Sequence, residues 1–195
     1  MEKQTGIVLK TFFSKKKKMV VLDAQLGKIE GVPPCDKLFP GALISYFAKE
    51  REHLYFLQGI ELLDVPMGLA KDDILFLHHI LEICYYCAPF GNSAPEIFQL
   101  VLYLYHHDIS PYTADFKLAF LFKLLVLLGM HPDETRFQNP EYYLLARESI
   151  DTIMNKAIQL DTKHALHEWV RSCIGTHPLI HAFKTIHFLD SDRLL

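Results

Sequence analysis

HLYFLQGIELLDVPMGLAKDDILFLHHIL, residues 53–81, changes its period at Pro66. Up to residue 63 aromatic and branched side chains suit a strand; from Leu69 the apolar residues recur at helical spacing and nearly all round. Upstream the chain is basic, with ten Lys/Arg against seven Asp/Glu in residues 1–63; downstream, residues 64–195 hold ten against sixteen. The overall charge of −3 hides that division. Such a contrast of structure and charge points to a binding protein before it points to an enzyme.

The upstream side reads as five strands. Residues 5–13 (TGIVLKTFF) place Ile7, Leu9, Thr11 and Phe13 on one face and Val8, Lys10 and Phe12 on the other. Residues 19–24 form a second strand, and Gln25-Leu26-Gly27-Lys28 a hairpin turn in which Gly27 supplies positive φ. Residues 29–32, 42–49 and 53–63 complete the set. Five strands in about sixty residues fit an OB-type barrel, with an SH3-like barrel as the competitor. The fold class expected is α+β: a barrel over residues 1–65, then an all-helical bundle over 66–195.

In the downstream part, helices are expected over residues 69–87, from Ser93 to about His107, over 112–128, from Asn139 to about Leu160, over 164–174, and from Pro178 to about Leu189. Ser93 and Glu96 have capping-box spacing, and Gly129 and Gly175 are helix stops. Half the residues are hydrophobic, which supplies a large core and excludes disorder. The apolar run 118–130 is too short for a bilayer and contains Lys123, and no signal core follows Met1. Four cysteines do not suggest a disulfide framework. A soluble cytoplasmic protein with no membrane association is expected.

Chemistry-bearing patterns are few. Lys15, Lys16, Lys17 and Lys18 sit in the loop between strands one and two, where ammonium groups attract a phosphate backbone; a merely solvating loop is the competing reading. Phe12, Phe13, Tyr46 and Tyr55 are candidates to stack bases, against the plainer reading that they fill the core. Cys84-Tyr85-Tyr86-Cys87 has CxxC spacing but lies inside an apolar helix with no second pair, which favours inert thiols over zinc or redox chemistry. The pairs His78-His79 and His106-His107 lack the Glu-x-x-His pattern of a di-metal bundle. No nucleophile elbow, phosphate-cradling loop or dinucleotide fingerprint occurs. The expectation is a protein with no catalytic residues, no cofactor and no metal.

Gly6-Ile7-Val8-Leu9-Lys10-Thr11 resembles the opening strand of the RecO family of bacterial recombinational DNA repair proteins. Val20-Val21-Leu22, Leu26-Gly27-Lys28-Ile29, Leu54-Tyr55-Phe56-Leu57 and Glu61-Leu62-Leu63-Asp64 follow in the family's order. So do Gly68-Leu69-Ala70-Lys71-Asp72-Asp73, Pro95-Glu96-Ile97-Phe98 and residues 116–132 (FKLAFLFKLLVLLGMHP). The resemblance spans about residues 5–135; residues 141–195 match only loosely. It implies a non-catalytic mediator with an OB barrel on a helical domain. Such a mediator binds single-stranded DNA, with duplex DNA as a further candidate, and partners a RecR-like protein and the tail of single-strand-binding protein. It promotes strand annealing and RecA loading. Carried over by position, Lys10, Lys28 and the run Lys15, Lys16, Lys17 and Lys18 would contact DNA. Two departures stand out. The family's basic segment before strand four is here Pro33-Pro34-Cys35-Asp36-Lys37-Leu38-Phe39, and its four-cysteine zinc module is missing from residues 133–140. The chain would thus be a divergent member without the zinc module. The alternative is a protein-interaction module that keeps the fold and has lost most DNA affinity.

Overall fold

The computed structural model describes residues 2–12, 17–34, 38–52, 54–106, 112–131, 147–149, 152 and 160–188. Five strands, β1 (Lys3–Phe12), β2 (Lys18–Asp23), β3 (Gly27–Val32), β4 (Leu43–Arg51) and β5 (Leu54–Asp64), close into a barrel in the order β1-β2-β3-β5-β4. The β3–β5 pair is parallel and the rest are antiparallel, with β1 closing against β4. That order is the OB-type arrangement and disposes of the SH3-like alternative. Helices follow: α1 (Met67–Cys87), α2 (Pro95–His106), α3 (Ala114–Leu127) and α4 (Leu160–Gly175). The α+β class expected from the sequence is therefore observed.

The barrel core is Val8, Met19, Val21, Ile29, Ala42, Ile44, Tyr46 and Leu57, with each large aliphatic side chain contributing roughly 1.5–3 kcal/mol by leaving water. Beside it lies a buried polar pair: the Tyr46 hydroxyl donates to Asp23 Oδ2 at 2.5 Å. The other carboxylate oxygen of Asp23 accepts the backbone N–H groups of Gln25 and Leu26 at 2.8 and 2.7 Å. One carboxylate thus forms the β2–β3 turn and anchors a core tyrosine. Burial and the neighbouring Asp23 charge push the Tyr46 phenol far above its ordinary pKa, so it stays a donor.

The register of β1 departs from simple alternation. Val8 pairs with Val21, but Lys10 pairs with Val20, so Leu9 is an extra residue, a β-bulge. Val8 points into the core; without the bulge Lys10 and Phe12 would follow it there. The bulge instead puts Lys10 and Phe12 level with Val20 and Lys18 on the outer face. The sequence expectation that Val8, Lys10 and Phe12 share one face is corrected accordingly.

Helix α1 is two segments. Asp73 has non-helical φ/ψ (−152°, 78°), and its carboxylate accepts the backbone N–H of Phe76 at 3.1 Å, as an N-cap does. The lead Gly68–Asp73 is thus a short turn of helix, and the long segment starts at Ile74. That segment buries Phe76, Leu77, His79, Ile80, Leu81, Ile83 and Cys84 but leaves Ile74 and Leu75 exposed. Its apolar residues run nearly all round, yet α1 lies on the barrel's β1 and on α2 rather than at the centre of a bundle. Asp73→Ala should cost about 1 kcal/mol, measured as a shift in the urea midpoint; an unchanged midpoint would argue against the capping role.

The strand-to-helix change comes at Pro66, but the compact units are Met1–Ser110 and Pro111–Leu195, so α1 and α2 belong with the barrel. Tyr105 of α2 ties into it, donating to the Gly41 carbonyl at 2.7 Å. In the second unit Thr113 caps α3, accepting from the Phe116 N–H at 3.2 Å. A Schellman turn ends it, with Gly129 at φ 86° and Met130 N–H donating to the Leu125 carbonyl at 2.9 Å. Its residues Phe116 to Phe122 are all buried, as the all-round apolar pattern requires. Helix α4 packs on α3 through Trp169, whose ring meets Phe122 at 5.2 Å, and through Lys163 paired with Asp115 at 2.7 Å. In place of the last helix expected from Pro178 there are two 3-10 turns, Ile180–Ala182 and Ile186–Phe188. The helix expected from Asn139 lies largely outside the described residues. Among the described residues no helix is long and apolar enough to cross a membrane.

Candidate nucleic-acid interface

The outer face of β1, β2 and β3 meets the end of α1 and the loop that follows it. The loop docks on the start of β3: Gly91 N–H donates to the Lys28 carbonyl at 2.9 Å, and Phe90 bridges Lys28 in parallel. This brings three aromatics of the α1 end, Tyr85, Tyr86 and Phe90, over the lysines of the barrel. The Lys10 ammonium stands 4.2 Å from the Tyr85 ring centre, 5.3 Å from Phe12 and 5.7 Å from Tyr86. The Lys28 ammonium stands 4.2 Å from the Phe90 ring centre. These are cation–π distances.

Two open clefts border the cluster. One, about 250 Å³, is lined by Phe12, Lys18, Val20, Glu30, Tyr85 and Phe90. The other, about 370 Å³, is lined by Lys28, Ile29, Glu30, Glu50, Tyr55, Phe90 and Gly91. Glu30 and Phe90 form the wall they share, and Phe90 is 57 % exposed.

The lysines read from the sequence fare differently. Lys10 reaches the cluster and is partly exposed. Lys17 is exposed, and Lys18 forms an ion pair with Glu30. Lys15 and Lys16 lie outside the described residues, as does Phe13. Lys28 is only 3 % exposed and donates to the Tyr85 carbonyl at 2.7 Å. That carbonyl is one of those left over at the end of α1, so the ammonium caps the helix and meets the negative end of its dipole. Burial pulls the Lys28 pKa down, opposed by the nearby Cys87 and Cys84 thiols. Lys28, at the position where the resemblance implies a DNA contact, is covered by the docked loop. Tyr46 is likewise no stacking surface, being buried in the core, while Tyr55 lines the larger cleft.

Sequence reasoning missed Tyr85, Tyr86 and Phe90. The signal was available: two adjacent tyrosines stand just before Pro89, where a helix must stop and rings at its end can face out. The cysteines that flank those tyrosines are held protonated. Burial pushes the Cys84 thiol up to about 12 and the Cys87 thiol up to about 11. Among the described residues no group of three or more His, Cys, Asp or Glu could hold a metal ion. No protein-family model matches the chain, and no curated protein matches it.

Proposed function

We propose that the protein is a non-catalytic, RecO-like mediator whose barrel binds single-stranded nucleic acid. Its partners would be a RecR-like protein and the tail of single-strand-binding protein, and it would promote strand annealing and RecA loading in the cytoplasm. The observation that carries the DNA part is the Lys10 ammonium set 4.2 Å from the Tyr85 ring, beside a cleft walled by Phe12, Lys18 and Phe90. Aromatic faces accept bases by stacking, and ammonium groups beside them attract the phosphates.

The second reading, an interaction module with little DNA affinity, draws on different observations. Lys28 is covered, Lys18 is matched by Glu30, and Leu62, Leu63 and Met67 are exposed apolar side chains at the β5–α1 junction.

Fluorescence anisotropy with a labelled single strand across a salt series separates the two. Under the first reading, affinity falls as salt rises, and Lys10→Ala reduces the slope of log affinity against log salt by about one. Phe90→Ala, at an exposed ring, should cost about 1–3 kcal/mol of binding with circular dichroism unchanged. No binding at low salt, or binding indifferent to both substitutions, removes the DNA reading and leaves the interaction module.

A further inference from the structure

The two clefts differ in charge, and that difference bears on which base the proposed site would hold. Glu30 borders both; the smaller cleft adds Lys18 and adjoins Lys10, whereas the larger adds Glu50 beside the buried Lys28. Lys10 beside the first leaves a positive charge there for a phosphate, while Glu50 gives the second a carboxylate that the first lacks. The strand register fixes the carboxylate of the second cleft beside a ring: Glu50 pairs with Tyr55 across β4 and β5, and Tyr55 pairs with Gly31 next to Glu30. The carboxylates lie close enough for their charges to act on the phenols, Glu50 on Tyr55 and Glu30 on Tyr85. Glu30 is already engaged by Lys18, which leaves Glu50 as the acceptor facing the larger cleft.

A carboxylate accepts hydrogen bonds and donates none. Among unstacked bases, guanine alone offers two adjacent donors on its Watson–Crick edge, N1–H and the N2 amino group, matching the two oxygens of one carboxylate. Charge-assisted paired bonds of this kind are the strong ones. Thymine sets a carbonyl on each side of its single N–H and meets the carboxylate with repulsion. Cytosine and adenine offer one amino group beside an acceptor nitrogen.

We infer that the larger cleft takes an unstacked guanine, its ring against Phe90 and its N1–H and N2–H donated to Glu50, while the flanking phosphates run along Lys10 and Lys18. This rests on the proposed binding of single strands, and the test keeps the two apart. Anisotropy would compare labelled oligothymidylate strands carrying one central guanine, hypoxanthine or thymine. Hypoxanthine keeps N1–H and lacks the amino group. The expected order of affinity is guanine, hypoxanthine, thymine, with about tenfold between first and last. Glu50→Ala should equalise the three strands. Equal affinities in the wild-type protein, with Phe90→Ala weakening all three, would overturn the guanine site and leave the binding function standing. A guanine preference that survives Glu50→Ala would overturn the role of Glu50. Failure of every strand to bind at low salt would overturn both.

Discussion

Gly27→Ala is expected to destabilise the protein by about 3 kcal/mol or more, seen as a large fall in the urea midpoint followed by far-ultraviolet circular dichroism. Two effects add at this position. The residue has φ 73°, in the left-handed region that a side chain disfavours by about 1–2 kcal/mol. A Cβ there would also stand 1.8 Å from the Asn92 carbonyl oxygen and 2.6 Å from its carbon, and these are backbone atoms that cannot swing aside. The loop after α1 would have to lift off β3, taking with it the Gly91 N–H bond to Lys28 and the position of Phe90. Gly91→Ala is the matched comparison. Its φ is 65°, yet nothing lies within 4 Å of the added Cβ, so only the conformational cost of about 1–2 kcal/mol is expected. If the two variants lost equal stability, close docking of the loop on the turn would be refuted. Under the proposed function Gly27→Ala also weakens binding beyond its effect on folded fraction, because the shared wall of both clefts moves.

The same contact explains where sequence reading stops. The five strands were legible because half-buried strands alternate, and the turn at Gly27 was legible because hairpin turns need positive φ. The helix stop at Gly129 was legible, whereas the start of α3 was expected at residue 112 and its cap, Thr113, is seen only in the structure. The bulge at Leu9 was not legible, since an extra residue is defined only by the partner strand's register; Val8, Lys10 and Phe12 look alike in phase until Val20 and Val21 are set opposite them. Lys28 looks like an open turn lysine because the loop that covers it lies some sixty residues away in the chain. Tyr46 and Tyr55 are equally plausible stacking rings in the sequence, and it takes the buried Asp23 carboxylate to assign the first to the core. The fold was thus readable from local chemistry. Of the candidate site, Lys10, Phe12, Lys18 and Tyr55 were legible, but Tyr85, Tyr86 and Phe90 were not, because one long-range docking event brings the α1 end to the barrel.

His79 makes a stability prediction as large as that of Gly27. It is fully buried on the inner face of α1, where burial alone pulls its imidazole down from 6.5 to about 3. Above pH 6.5 the ring is neutral in folded and unfolded chains alike, and His79 adds no pH dependence. Between 6.5 and about 3 the unfolded chain takes up a proton that the folded one refuses, so stability falls as the pH falls. The slope is about 1.4 kcal/mol per pH unit, and the full loss is on the order of 4–5 kcal/mol. His79→Leu fills similar space without a titrating group. Urea midpoints taken at steps from pH 7 down to pH 4 should therefore converge on, and then favour, the leucine variant relative to its standing at neutral pH. Carboxylates titrate in both proteins and cancel in that difference. Parallel pH profiles for the two proteins would show that His79 is reached by water or by a compensating charge in the folded state. They would also show that the packing of α1 on β1 is looser than the burial of Phe76, Ile80 and Ile83 around the same turns of helix indicates.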